Sequence, residues 1–126
     1  MVWKQILVAH PERLDDDLLD VVVASQIRNT PSWFTLIDCV LDAGGLKPEF
    51  VLGDRRREVA VPTTFVWGER DAFGGPEEGE AVAATNPRFT VVRIADAGHA
   101  PWLDDPERVL DAIHRALTPD VTAISG

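Results

Sequence analysis

The sequence predicts an α/β fold, with a helical N-terminal half followed by a strand–helix–strand–helix parallel unit. Three observations carry this. Thr63-Thr64-Phe65-Val66-Trp67 is a near-continuous β-branched and aromatic run between Pro62 and Gly68, which is how a strand covered on both faces reads. Residues 89–94 form a second such run. Helical patterns opening on Pro76 and on Asp105-Pro106 follow each strand, and such an alternation implies a parallel pair joined by a right-handed crossover. The boundaries fall at 1–58 for the helical segment, 59–118 for the α/β unit and 119–126 for a tail.

Along the chain, Met1 to His10 carries one positive charge and a short apolar stretch, without a convincing signal-peptide cleavage site. Asp15-Asp16-Asp17 suits the unpaired amides of a helix start. Leu18, Leu19, Val22 and Gln26 follow at helical spacing, although the β-branched run 21–23 also admits a strand. Thr30-Pro31 predicts a restart, with Thr as cap and Pro at the first helical position. Trp33, Phe34, Ile37, Val40 and Leu41 then make one broad apolar face. Gly44-Gly45 is expected to end that helix. Asp54-Arg55-Arg56-Arg57-Glu58 could suggest a phosphate site, but acids flank the arginines and a solvated face is the better reading.

The helix from Pro76 to Ala84 is expected to stop at Asn86-Pro87, and Asp96-Ala97-Gly98 reads as a turn. The last helix opens on an Asp cap followed by proline. Val109, Leu110, Ile113, Ala116 and Leu117 are its expected buried stripe.

The 126 residues suit one domain, and 45% apolar with 26% charged residues is the balance of a soluble globular chain. Twelve basic against twenty-one acidic residues give −9. That charge speaks against unspecific binding to DNA, RNA or an anionic membrane, which need a basic face. The single Cys39 excludes an intramolecular disulfide and a cysteine-based zinc site, and fits a cytoplasmic location. No apolar run approaches the ~18 residues of a membrane span.

Two motifs carry chemistry. In Trp67-Gly68-Glu69-Arg70-Asp71 an acid lies just past a strand, where reactive groups gather in open α/β sheets. In Ala97-Gly98-His99-Ala100-Pro101-Trp102 a histidine follows the next strand, and histidine titrates near neutrality. Together they face each other across the ends of adjacent parallel strands. An Asp accepting from His Nδ1 fixes the tautomer and stabilises the imidazolium. His10, before Pro11, has no clear partner in the sequence, and His114 lies in the last helix. A metal centre of His99, Asp96 and Asp104 is a minor alternative, because no paired-histidine spacing supports it.

The stretch from Val61 to Asp71, followed by that from Ala97 to Glu107, resembles the C-terminal part of the α/β-hydrolase superfamily. The 28-residue interval between Asp71 and His99 is common in that family, and residues 10–58 resemble its helical cap more loosely. The resemblance implies an incomplete α/β-hydrolase fold, with Asp71 as triad acid and His99 as general base. It implies ester, lactone or carbon–carbon bond hydrolysis in an intact parent, with no cofactor. The family's nucleophile sits in Gly-x-Ser-x-Gly, and no such motif occurs here. Ser25, Ser32 and Ser125 lack the flanking glycines, and Cys39 reads as a packed thiol in an apolar helix. The His-Gly loop that helps form the oxyanion hole is absent as well. The isolated chain is therefore expected to be inactive.

Two parallel strands also make a poor sheet. Their open edge invites pairing, so the expected partner is a second copy or a complementary hydrolase half. Trp3, Trp33, Trp67 and Trp102 are candidates to help bury that surface.

Overall fold

The computed structural model describes residues 2–118, and the sequence-predicted tail 119–126 lies outside them, Ser125 included. The chain divides into two units. Residues 2–13 belong with 59–118, and Leu14–Glu58 form the other unit. The division thus falls after Arg13 and after Glu58.

Leu14–Glu58 is built on one helix. After the short helix α1 (Val2–Leu7) and a single 3-10 turn at Pro11–Arg13, α2 runs from Asp16 to Val40. Asp15 caps it by accepting from the Asp17 amide at 3.0 Å. The expected restart at Thr30-Pro31 does not occur, and Pro31 lies inside the helix. Thr30 stays helical, and its hydroxyl bonds back to the Gln26 carbonyl at 2.8 Å, as a helix-interior threonine does in place of capping. The helix ends earlier than Gly44-Gly45 suggests. Leu41–Asp42 (β1) and Gly45–Leu46 (β2) pair as a small antiparallel hairpin. The Asp42 carboxylate accepts from the Gly44 amide at 2.7 Å and closes the turn. The arginine run falls on the 3-10 segment Gly53–Glu58, none of whose residues is buried.

The α/β unit holds β3 (Thr63–Gly68), α3 (Pro76–Ala83), β4 (Phe89–Ile94), the single-turn α4 (Pro101–Asp104) and α5 (Pro106–Leu117). β3 and β4 pair in parallel, with Thr63 opposite Phe89 and Gly68 opposite Ile94. The sequence-predicted α/β class and parallel pair are what the structure has. Buried Asn86 accepts from the Arg88 amide at 2.9 Å and donates to the Val59 carbonyl at 2.9 Å. It thereby ties the entry to β3 to the start of β4.

Side chains alternate across the strands. Val66, Val92 and Ile94 share one face and pack with Ala97 and with Val109 of α5, which makes the core. Trp67 points the other way, toward Gly79 of α3. Asp105 caps α5 by accepting from the Arg108 amide at 3.0 Å, with Pro106 next. The expected buried stripe of α5 is only partly so. Val109 and Ala112 are buried, while Leu110, Ile113 and Leu117 are 53%, 41% and 75% exposed. Two strands are too narrow to cover the stripe.

The N-terminal stretch is joined to this unit through Asp104. Its carboxylate accepts from the Ala9 amide at 2.9 Å, the His10 amide at 3.2 Å and the Gly98 amide at 2.8 Å. The Ala100 amide donates to the Leu7 carbonyl at 2.6 Å, and Val8 is buried. Asp104→Ala leaves three part-buried amides without their acceptor, each a loss of about 1 kcal/mol or more. The variant should therefore be about 3 kcal/mol less stable in urea unfolding, with Asp104→Asn falling between it and the parent.

Candidate acid–histidine site

Both strands of a parallel pair end on the same side, so the loops after Gly68 and Ile94 meet. Their pairing continues past the strands, with the Glu69 amide donating to the Ile94 carbonyl at 3.0 Å and the Arg70 amide to Ala97 at 2.8 Å. The approach is close enough to exclude side chains. A Cβ on Gly68 would lie 2.0 Å from the Gly98 carbonyl oxygen, and one on Gly98 would lie 2.7 Å from the Val8 backbone. Glycine is therefore a packing requirement at both positions.

These constraints bring the two sequence-predicted residues together. His99 Nδ1 lies 3.0 Å from Asp71 Oδ2 and 3.2 Å from Oδ1. A carboxylate only accepts, so Nδ1 carries the proton and Nε2 bears the free lone pair. The Asp71 side chain is 8% exposed, against 47% for His99. Asp71 Oδ1 also accepts from the Phe73 amide at 2.9 Å, and the Phe73 ring meets the imidazole edge-on at 4.6 Å. Trp67 Nε1 donates to the Gly74 carbonyl at 3.0 Å and closes that loop. The imidazole is thus held on its Nδ1 side and along one face, while Nε2 has no hydrogen-bond partner among the described residues. This arrangement can take a proton at Nε2 and steady the resulting imidazolium.

A second acid–histidine contact, not anticipated in the sequence, lies beside it. His10 Nε2 is 2.6 Å from Asp96 Oδ2, and Arg70 donates to Asp96 Oδ1 at 2.7 Å. His10 Nδ1 lies 3.4 Å from Glu12. His10, which has no clear partner in the sequence, is therefore well partnered. Asp96 adopts a left-handed backbone (φ 58°), a conformation that Asp tolerates better than most residues. The Arg70 hydrogen bond first, then that of His10, holds its carboxyl below the usual carboxylate range.

The minor metal reading brings no cluster together. Asp104 is committed to three amides, Asp96 to His10 and Arg70, and His99 to Asp71. Among the described residues no group of three metal-ligating side chains occurs. Ser25, Ser32 and Cys39 all lie in α2, in the other unit. Cys39 is exposed rather than packed, since the α2 face around it is itself largely exposed. Grooves of about 440 and 250 Å³ run along α5 and do not include Asp71 or His99. No described helix is long and apolar enough to cross a membrane.

No family model and no curated protein matches the chain. Among solved structures it is similar to a thermophilic esterase from Thermogutta terrifontis in its malate-bound form, with 42% sequence identity and a TM-score of 0.48. The match covers 51% of this chain and 24% of the esterase, so the chain spans about a quarter of that protein's length.

Two outcomes follow from the geometry. Gly68→Ala forces the two loops apart and should lower stability by about 3 kcal/mol by overpacking, measured by thermal unfolding. Because the Asp96 carboxyl is depressed in the fold, its contribution is present above the ordinary carboxylate range and lost as pH falls through the folded value. Asn tolerates the same backbone, so Asp96→Asn isolates the charge. The stability gap between parent and variant should be full above about pH 5 and shrink as pH falls below about 4, followed by urea unfolding at several pH values.

Proposed function

We propose that this chain is the C-terminal portion of a hydrolase of the α/β-hydrolase kind, in which Asp71 orients His99 as the general base. The observation that carries the reading is the Asp71–His99 hydrogen bond at the carboxyl ends of two adjacent parallel strands. In the complete catalyst a serine hydroxyl attacks an ester, lactone or activated carbon–carbon bond. His99 Nε2 takes the hydroxyl proton and returns it to the leaving group, while Asp71 stabilises the imidazolium between those steps. The chain's own part is limited to fixing the tautomer, holding the ring between Asp71 and Phe73, and leaving Nε2 accessible. The sequence has no Gly-x-Ser-x-Gly turn, so the nucleophile and the oxyanion donors are supplied from outside these residues. By itself the chain is inactive.

A second reading, a self-associating or partner-binding module derived from that fold, is favoured by the exposed apolar stripe of α5. The two readings differ in what His99 does, since assembly does not require it.

The test joins the chain to the coding segment upstream of Met1 and assays the product on short-chain esters. Turnover is expected from a joined protein that carries the serine turn, and His99→Ala should lower it by about 10⁴-fold or more. The isolated chain should show no turnover above the uncatalysed rate. Equal turnover in the joined protein with and without His99 would overturn the assignment.

A further inference from the structure

Backbone hydrogen bonding between the two strand ends runs out just short of the acid. The last such bonds are those of the Glu69 and Arg70 amides to Ile94 and Ala97. Beyond them, among the described residues, 71–75 meet the His99 loop through side chains alone, Asp71 and Phe73 on the imidazole. The His99 loop is anchored independently, by the Gly98 amide on Asp104 and the Ala100 amide on Leu7. The placement of Asp71 then depends on how firmly the Arg70 peptide is held. An orienting acid and its base need placement to within about 0.5 Å.

The Arg70 side chain supplies a tie at that point. It donates to Asp96 Oδ1 at 2.7 Å, and so links the residue before the acid to the residue three before the histidine. Asp96 Oδ2 lies 2.6 Å from His10 Nε2. A carboxylate only accepts, so His10 donates. Three segments distant in sequence thus meet on one carboxylate. Arg70 and Asp96 are largely exposed, whereas the His10 side chain is 18% exposed. An isolated exposed ion pair contributes little, but several charges converging through short contacts hold a geometry.

We propose that Arg70 and Asp96 are positioning residues for the acid–histidine pair, their ion pair locking the loop that enters Asp71 against the loop that enters His99, with His10 bracing Asp96 from behind. Arg70 is bound by its amide to Ala97 and by its guanidinium to Asp96. Two attachments to consecutive residues remove the rotation that one would leave. The proposal rests on the reading of Asp71 as orienter and His99 as base.

Nitrogen NMR of the isotope-labelled intact chain tests it without turnover. At about pH 8.5, above the ordinary histidine range, the ratio of the Nδ1–H to the Nε2–H form of His99 reports how well Asp71 is placed. His99→Ala identifies the signals. The parent should be dominated by the Nδ1–H form, and Arg70→Leu should lower the ratio at least about threefold. The Arg70 side chain is exposed, so the substitution leaves the core intact. Arg70→Lys should restore the ratio, because the contact uses a single nitrogen, which an ammonium can supply. Arg115→Leu removes an exposed 2.6 Å pair with Asp111 on α5 and should leave the ratio unchanged. A parental ratio in Arg70→Leu overturns the proposal alone. So does an equal fall in Arg115→Leu, or a lysine variant without rescue. A parent lacking the Nδ1–H form overturns the acid–histidine reading and the proposal together, so the two failures are told apart.

Discussion

The arrangement rests on one carboxylate. Asp104, on the single turn after the histidine loop, gathers the amides of Gly98, Ala9 and His10. A charged acceptor shared by three backbone donors is stronger than three neutral bonds, and its loss strands all three donors. Through it the stretch before the first turn becomes a buttress for the loop that carries His99. Val8 lies against Gly98, and the Leu7 carbonyl takes the Ala100 amide. The histidine is thus positioned from both sides of its loop, by Asp71 along the sheet end and by the N-terminal stretch behind.

A second constraint is the width of the sheet. Two strands give α5 enough surface to bury Val109 and Ala112 and no more. The same narrowness keeps the acid–histidine pair simple, since each partner comes from the loop after one of the two strands. The imidazole is fixed by Asp71 and Phe73, and its Nε2 is left without a hydrogen-bond partner among the described residues.

Much of this was legible in the sequence where the signal is local. The β-branched run before Gly68 gave β3, the run 89–94 matched β4 to the residue, and Asp105-Pro106 opened α5. Asp71 and His99 could be paired because parallel strands joined by one helix must end side by side. Where the deciding force is not local, the sequence misled or was silent. Thr30-Pro31 has the chemistry of a helix start, yet the helix runs through it and the Thr30 hydroxyl bonds back to Gln26 instead of capping. The α5 stripe has the periodicity of a buried face, and periodicity does not report how much sheet is there to cover it. His10 and Asp104 act across more than eighty positions of chain, with no pattern near either to reveal it.

The grouping of residues 2–13 with 59–118 makes Leu14–Glu58 an insertion, entered and left from the same unit. Closing such a loop depends only weakly on its length, with about 0.6 kcal/mol for each doubling. A change in the length of that segment therefore costs the host unit little in closure entropy, and the Asp104 tie and the Asp71–His99 pair are drawn entirely from residues outside it.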